Sequence, residues 1–298
     1  MEIRKSKELG FCSGVKRAMK MVEKLSSGAK EPIFTIGPLV HNPGVIAALD
    51  KKGISPLVSI NDINNRSGRI VLPTHGLGLN DIEEIKSKGL PILDSTCPIV
   101  GNLQQKVKNL CGEGYAIVIF GEPGHPEVKG ALGWSEGKTA RAIATTDLSE
   151  VKQFAKKVRH LALLAQTTQT MSGYTKFCLK ILKTCLPEML DIRILNTICL
   201  EVQRRQRAAQ ELARTSDLMI VVGGKGSSNT RRLAEICQGA GAQVYQVEGA
   251  EEVKTEWLEG KRCIGKARLR AGKHIRRRRA GTPGGPRSNR DSCRGWRR

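Results

Sequence analysis

Three stretches decide how this chain folds: GFCSGVKRAMKMVEKL (residues 10–25), STCPIVGNLQQKVKNL (95–110) and TICLEVQRRQRAAQELA (197–213). Each carries Cys-x-x-Val, at Cys12/Val15, Cys97/Val100 and Cys199/Val202, and each continues with apolar residues at three- and four-residue spacing. That spacing keeps one face of a helix apolar, so each stretch predicts an amphipathic helix with a cysteine at its start. A short apolar run ending in glycine follows each one: PIFTIG, AIVIFG and MIVVG. The distance from cysteine to glycine is 25 residues to Gly37, 24 to Gly121 and 24 to Gly223. Four residues further on stand His41, His125 and Ser227. Self-similarity at matched spacing is the mark of a repeated unit.

The repeat continues. RIVLPTHG carries His75, and HLALLAQTT carries Thr167 and Thr168, each just after another apolar run. The third unit reaches KRCIG and then turns abruptly into KARLRAGKHIRRRR. The pattern predicts an α/β protein of three pseudo-repeated units built from β-α-β elements. Their bounds are 1–95, 96–196 and an incomplete 197–265, followed by an atypical Arg-rich tail at 266–298. Only 7 of the last 33 residues are apolar, too few to pack, so the tail reads as disordered or as a frameshift product.

Composition narrows the class. Of 298 residues 39% are hydrophobic and only 4% aromatic, so the core must rest on aliphatic side chains. No apolar run approaches the roughly 18 residues of a membrane span, and the N-terminus has no apolar leader segment. A cytoplasmic protein with no membrane partner is expected. The net charge of +22 is uneven: 13 of the 50 Lys and Arg, against one acid, lie in 266–298. The body is therefore only moderately basic. An Arg run without interleaved aromatics is merely a counterion-releasing polycation, so nucleic acid is not an expected partner. Nine cysteines, an odd number with no Cys-x-x-Cys, argue against a disulfide framework or a zinc ribbon. Cys178 and Cys185, seven apart on one helical face, read as core, and His160 and His274 as ordinary surface or core histidines.

The repeat gives the remaining polar residues their meaning. In α/β units ligands sit beyond the carboxyl ends of strands, often at helix N-termini. Each unit puts its cysteine before a helix and its His, Thr or Ser groups after a strand. Arranged about a pseudo-threefold axis, the units bring Cys12, Cys97 and Cys199 into one central cavity with a ring of polar groups. A helix N-terminus lowers a thiol pKa and favours thiolate ligation. Three thiolates leave one position open on an iron–sulfur cluster; they also match a three-ligand zinc, although a thiolate-only set of three equivalent arms favours the cluster. His41, His75 and His125 each follow a strand beside glycine. Ser227, Ser228 and Asn229 lie in a glycine turn entering a helix, a cradle for phosphate. Glu127, in GHPEVKG, is a candidate proton donor, because a carboxyl in a closed cavity has its pKa raised.

GFCSGVKRA, LVHN, THG, DSTCP, GHPEVKG, QTT, NTIC and GGKGSSNTRRLAE together resemble the 4-hydroxy-3-methylbut-2-enyl diphosphate reductases, which perform the last step of the non-mevalonate isoprenoid pathway. The resemblance runs from residue 9 to residue 265, with the motifs in the family's order. It implies a trefoil-like arrangement of three α/β domains around an oxygen-sensitive 4Fe–4S cluster ligated by Cys12, Cys97 and Cys199. It implies that His41, His75, Ser227, Ser228 and Asn229 hold the substrate diphosphate. His125, Thr167 and Glu127 would sit near the allylic hydroxyl, with Glu127 the proton source. The implied reaction expels that hydroxyl as water, using two electrons and two protons, and gives isopentenyl and dimethylallyl diphosphate. Ferredoxin or flavodoxin is the implied electron donor.

Two departures stand out. After Cys199 the family has a small residue and Thr before its Arg-Gln pair, where this chain has Glu201 and Val202. Beyond Cys263-Ile264-Gly265 the family continues with a serine that binds diphosphate and a closing helix, where this chain has Ala271 and the Arg-rich tail. The competing readings are a reductase that binds the cluster without full turnover, and a cluster enzyme of the quinolinate synthase kind, which shares three domains and three cysteines but has no need of the THG, GHPEVKG and SSN motifs.

Overall fold

Strands buried on both faces of a parallel sheet are continuously apolar, and AIVIF, LALLA and LMIVV are such runs. The structure, a computed structural model, describes residues 1–28, 31–64, 66–137, 141–156 and 158–268. Strand β1 (Glu2–Lys5) and helix α1 (Ser13–Gly28) lead to β2 (Ile33–Ile36), α2 (Pro43–Asp50), β3 (Ile54–Leu57), β4 (Arg69–Leu72), α3 (Leu79–Ser87) and β5 (Ile92–Asp94). Helix α4 (Pro98–Gly112) opens the second set: β6 (Ala116–Phe120), α5 (Pro126–Leu132), β7 (Ala142–Thr145), α6 (Leu148–Ala155), β8 (His160–Ala165), α7 (Met171–Cys185) and β9 (Asp191–Ile194). Helix α8 (Leu200–Ala213) opens the third: β10 (Leu218–Val222), α9 (Ser228–Gly239), β11 (Gln243–Val247) and β12 (Cys263–Arg268).

The strands form three four-stranded sheets, ordered β3-β2-β4-β5, β7-β6-β8-β9 and β11-β10-β12-β1. Every pairing is parallel. The three orders are one order repeated, with β1 in the place that β5 and β9 hold in the other sheets. The three-unit α/β architecture expected from the repeat is therefore the fold. Helices on both faces give each sheet two apolar layers. In β8, Leu161, Leu163 and Ala165 join one cluster while Ala162 and Leu164 join the other. In β10, Met219 and Val221 face one layer and Leu218, Ile220 and Val222 the opposite one.

Two boundaries drawn from sequence move. Residues 1–95 were one unit by the repeat, but β1 hydrogen-bonds into the third sheet, with Glu2 to Lys5 in register with Cys263 to Lys266. The third unit does not stop at 265: β12 runs on to Arg268, flanked by β1 and β10. A strand paired on both sides satisfies its backbone whatever its side chains, so Lys266 and Arg268 are carried into the sheet despite their charge. Residues 269–298, with Ala271 and most of the expected tail, lie outside the described residues.

The order has a geometric consequence. Strands β5, β9 and β1 are each the fourth strand of a sheet, and each leads directly to a cysteine, Cys97, Cys199 and Cys12 respectively. Each unit thus hands a cysteine-headed helix to the next, and β1 closes the ring.

Candidate functional site

The three cysteines enter their helices by the same turn. Cys97 and Cys199 are N-caps with φ/ψ of −61°/130° and −63°/126°. The carbonyls of Cys12, Cys97 and Cys199 accept the first helical hydrogen bonds, from Lys16 N at 3.0 Å, Gly101 N at 2.9 Å and Gln203 N at 3.0 Å. Their approach is also shared: Cys97 N donates to Thr74 O and Cys199 N to Thr167 O, both at 3.0 Å. A β-carbon on Gly14 would lie 2.6 Å from Cys97 Sγ and 3.9 Å from Cys12 Sγ. Only glycine in the first turn of α1 leaves room for the Cys97 side chain at that point. The Cys97 thiol corrects one expectation. Burial pushes its pKa up, with Cys12 and Cys199 adding to the rise, and this outweighs the N–H groups of Ile99 and Val100 that pull it down.

The histidines form a second group. His41 stacks on His75 with ring centroids 5.6 Å apart and lies 6.2 Å from His125. His75 Nδ1 is 3.0 Å from the Gly76 carbonyl, which can only accept, so that nitrogen carries the proton. His125 caps α5, its Nδ1 accepting from Glu127 N at 3.1 Å, which leaves the proton of the neutral ring on Nε2. Burial lowers all three pKa values, to about 4 for His75 and His125. Buried Nε2 of His41 and Oγ1 of Thr230 have no hydrogen-bond partner among the described residues, which is what a polar ligand would satisfy.

The glycine turn of the third unit leans on this group. A β-carbon on Gly224 would meet the His41 carbonyl at 2.5 Å. Ser227 caps α9 by accepting from Thr230 N, and Ser228 is buried beside it. Glu122, just beyond β6, ties the turn to the second unit by accepting from Arg231 at 2.5 Å and Arg232 at 3.1 Å.

Glu127 is buried, at 4% exposure. Thr167 N donates to its Oε1 at 2.7 Å and Thr167 Oγ1 to its Oε2 at 2.8 Å. Burial raises the Glu127 pKa, and these two hydrogen bonds only partly offset the rise.

One cavity of about 170 Å³ gathers Cys12, Cys97, Cys199, His41, His75, His125, Glu127, Thr167, Ser227, Ser228 and Asn229. A water occupies roughly 10–15 Å³ on this measure, so the space suits a small ligand. All eleven candidates from the sequence line it. Asn42, Thr74, Thr230 and Arg205 line it as well and were not singled out. Thr74 stands inside THG and Thr230 follows SSN, so their signal was adjacency. Arg205 stands in the Arg-Gln pair after Cys199, but its reach to the Phe11 carbonyl left no local signal. Glu201 is also more than a departure: burial alone would raise its carboxyl, but hydrogen bonds from Ser13 and Arg205 prevail and hold it at about 2.

The sequence model of the LytB protein family matches residues 3–268. Over 265 residues the chain is 37% identical to a 4-hydroxy-3-methylbut-2-enyl diphosphate reductase of Dehalococcoides mccartyi, covering 89% of this chain and 91% of that protein. Over 266 residues it is 40% identical to the reductase of the same name from Campylobacter hominis, covering 89% and 92%. Among solved structures it is similar to (E)-4-hydroxy-3-methyl-but-2-enyl diphosphate reductase, the terminal enzyme of the non-mevalonate pathway. That match has a TM-score of 0.66 and 31% identity, over 92% of this chain and 95% of the other. The fold is shared with the E-1-hydroxy-2-methyl-but-2-enyl-4-diphosphate reductase of Plasmodium falciparum, at a TM-score of 0.81, 24% identity and coverage of 90% and 82%.

Proposed function

The chain belongs to the LytB protein family, and from that premise we propose that it is a 4-hydroxy-3-methylbut-2-enyl diphosphate reductase that yields isopentenyl and dimethylallyl diphosphate. The observation that carries the reading is the meeting of three thiols, three histidines, the Ser-Ser-Asn turn and the buried Glu127 carboxyl in one cavity. Two electrons and two protons enter. The allylic C–O bond breaks, the oxygen leaves as water with one proton, and the other proton forms the new C–H bond.

The donor set fits an iron–sulfur cluster. It is sulfur only, each thiol heads a helix, and Gly14 keeps the space beside two of them clear. Among the described residues no three His, Cys, Asp or Glu side chains are grouped to hold one metal ion. Cys12, Cys97 and Cys199 would hold a 4Fe–4S cluster, which when bound supplies electrons and Lewis acidity at its unligated iron.

The chain's own groups do the rest. Glu127, whose pKa burial raises, gives a proton to the departing hydroxyl, which avoids expelling an anion. Thr167 fixes both oxygens of that carboxyl and so its direction. His41, His75, Ser227, Ser228 and Asn229 hold the diphosphate, with backbone N–H groups at the start of α9. His125 Nε2 carries its proton without protonating the ring and donates near the hydroxyl. His75 Nε2 is an acceptor while the ring is neutral, so it must take up a proton to donate to phosphate. An external ferredoxin or flavodoxin supplies the electrons. No helix among the described residues is long and apolar enough to cross a membrane, and we assign the reaction to the cytoplasm.

The test is anaerobic cluster reconstitution of the 298-residue chain, then oxidation of reduced viologen on adding the hydroxymethylbutenyl diphosphate. Substrate-dependent oxidation is expected. A loaded chain that oxidises no viologen with substrate overturns the reading.

A further inference from the structure

The peptide around Cys12 is gripped from another unit. Glu201, two residues past Cys199 in the first turn of α8, accepts the Ser13 N–H with both carboxylate oxygens, at 3.0 and 3.3 Å. Arg205, one turn further on, pairs with that carboxylate at 3.0 Å. Its Nη2 donates to the Phe11 carbonyl at 3.3 Å. Phe11 and Ser13 flank Cys12, so one ion pair holds the backbone on both sides of that cysteine. Because α8 begins at Cys199, the same pair couples two thiol-bearing turns from distant parts of the sequence.

Among the described residues the other two junctions lack this device. Arg17 of α1 donates to the Thr96 carbonyl at 3.1 Å, the counterpart of the Arg205 bond to Phe11. The residue after Cys97, however, is Pro98, which has no N–H for a carboxylate to accept. At Cys12 the N–H exists, is one of those that a helix start leaves without an internal partner, and receives an anion where the helix dipole favours one. Arg205 is 7% exposed. A buried guanidinium is tolerable only with its charge met, which the Glu201 carboxylate does.

We propose that Glu201, acting with Arg205, is a positioning residue that holds Cys12 in register with Cys199 for the iron–sulfur cluster and sets a fixed negative charge beside it. The inference rests on the three-thiol reading. Without the carboxylate, the Cys12 turn keeps its helix but loses its tie to α8, so iron escapes more readily. The cluster also becomes easier to reduce, because one negative charge fewer opposes the incoming electron.

The experiment uses the reconstituted full chain in four forms: wild type, Glu201→Ala, Glu201→Gln, and Glu211→Gln. The last makes the same charge change at an exposed site further along α8. Anaerobic iron release to a chelator and the cluster midpoint potential are measured for each. Glu201→Ala is expected to release iron about tenfold faster, the scale of a lost helix cap. Glu201→Gln keeps one acceptor oxygen and should release at an intermediate rate, yet shift the potential upward as far as alanine does. Glu211→Gln should match wild type in both. Release within twofold of wild type at an unchanged potential, for both Glu201 variants, overturns the proposal even if thermal stability falls, since the role would then be purely structural. If Glu201→Ala does not fold, Glu201→Gln decides alone through its potential. A wild-type chain that takes up no iron overturns the cluster reading itself, and this inference with it.

Discussion

The second and third units share a strand order but hold their parts of the cavity by opposite means. In the second, the edge is fixed from within: Glu127 and Thr167 come from the same unit, and β8 behind Thr167 is buried on both faces by that unit's own clusters. In the third, the edge is fixed from outside. Its Ser-Ser-Asn turn leans on His41 of the first unit, its arginines reach Glu122 of the second, and its fourth strand comes from the start of the chain. A group fixed by its own core serves proton transfer, which needs one geometry. A group fixed by neighbours can shift when a ligand arrives. Substitutions in the second unit should therefore cost turnover and stability, and those at the third unit's ties should cost affinity.

The sharpest way to break this contrast is Glu127→Gln. Loss of the proton donor should lower turnover by about 10²–10⁴-fold while iron content and substrate binding persist. Near-normal viologen oxidation by that variant would remove Glu127 from the mechanism. Next in size is Leu163→Ala in β8, a fully buried position. It should cost about 2–5 kcal/mol, read from the denaturant midpoint; a loss under 1 kcal/mol would mean that the second unit's core does not hold its cavity edge.

Acid should act on the histidines that the first and second units bring together. His75 sits at about 4 against 6.5 for a free imidazole, so the unfolded chain binds more protons between those values. Its contribution is complete above pH 6.5 and is lost as pH falls from there towards about 4, to a total on the order of 3 kcal/mol. His125 acts in the same direction. Denaturant titrations from pH 7 to pH 4 check this. Inorganic diphosphate should take up protons on binding over the same range, and pH-independent binding would contradict the donor role given to His75. The smallest effect is expected at Glu122→Ala, which removes the tie from Arg231 and Arg232 to the second unit while Arg232 keeps its pair with Glu235. All three side chains are partly exposed, so the tie is worth about 1 kcal/mol or less, a few-fold rise in KM with kcat unchanged. A fall in kcat instead would place the third unit's turn in the chemical step.

The cavity was legible because its members stand at repeat positions. Cysteine before a helix and His, Thr or Ser after a strand are local facts of sequence, and three copies at matched spacing reinforce one another. The role of Glu201 and Arg205 escaped because it depends on Phe11 and Ser13, which come from the start of the chain. The expected lowering of the thiol pKa failed at Cys97 for the same reason: the helix start is local, but the burial that outweighs it comes from neighbours.

By itself the sequence determined the three α/β units and the cysteine-headed helices and pointed to eleven of the side chains that line the cavity, since periodicity and strand-end placement follow from backbone geometry. Only the tertiary structure decided that β1 closes the third sheet, because EIRK is a short, exposed, charged edge strand with no apolar run to announce it. Only the tertiary structure brought Glu201 to Ser13 across 188 residues. A hydrogen bond between distant segments leaves no period in the sequence and exists only once both helices are packed.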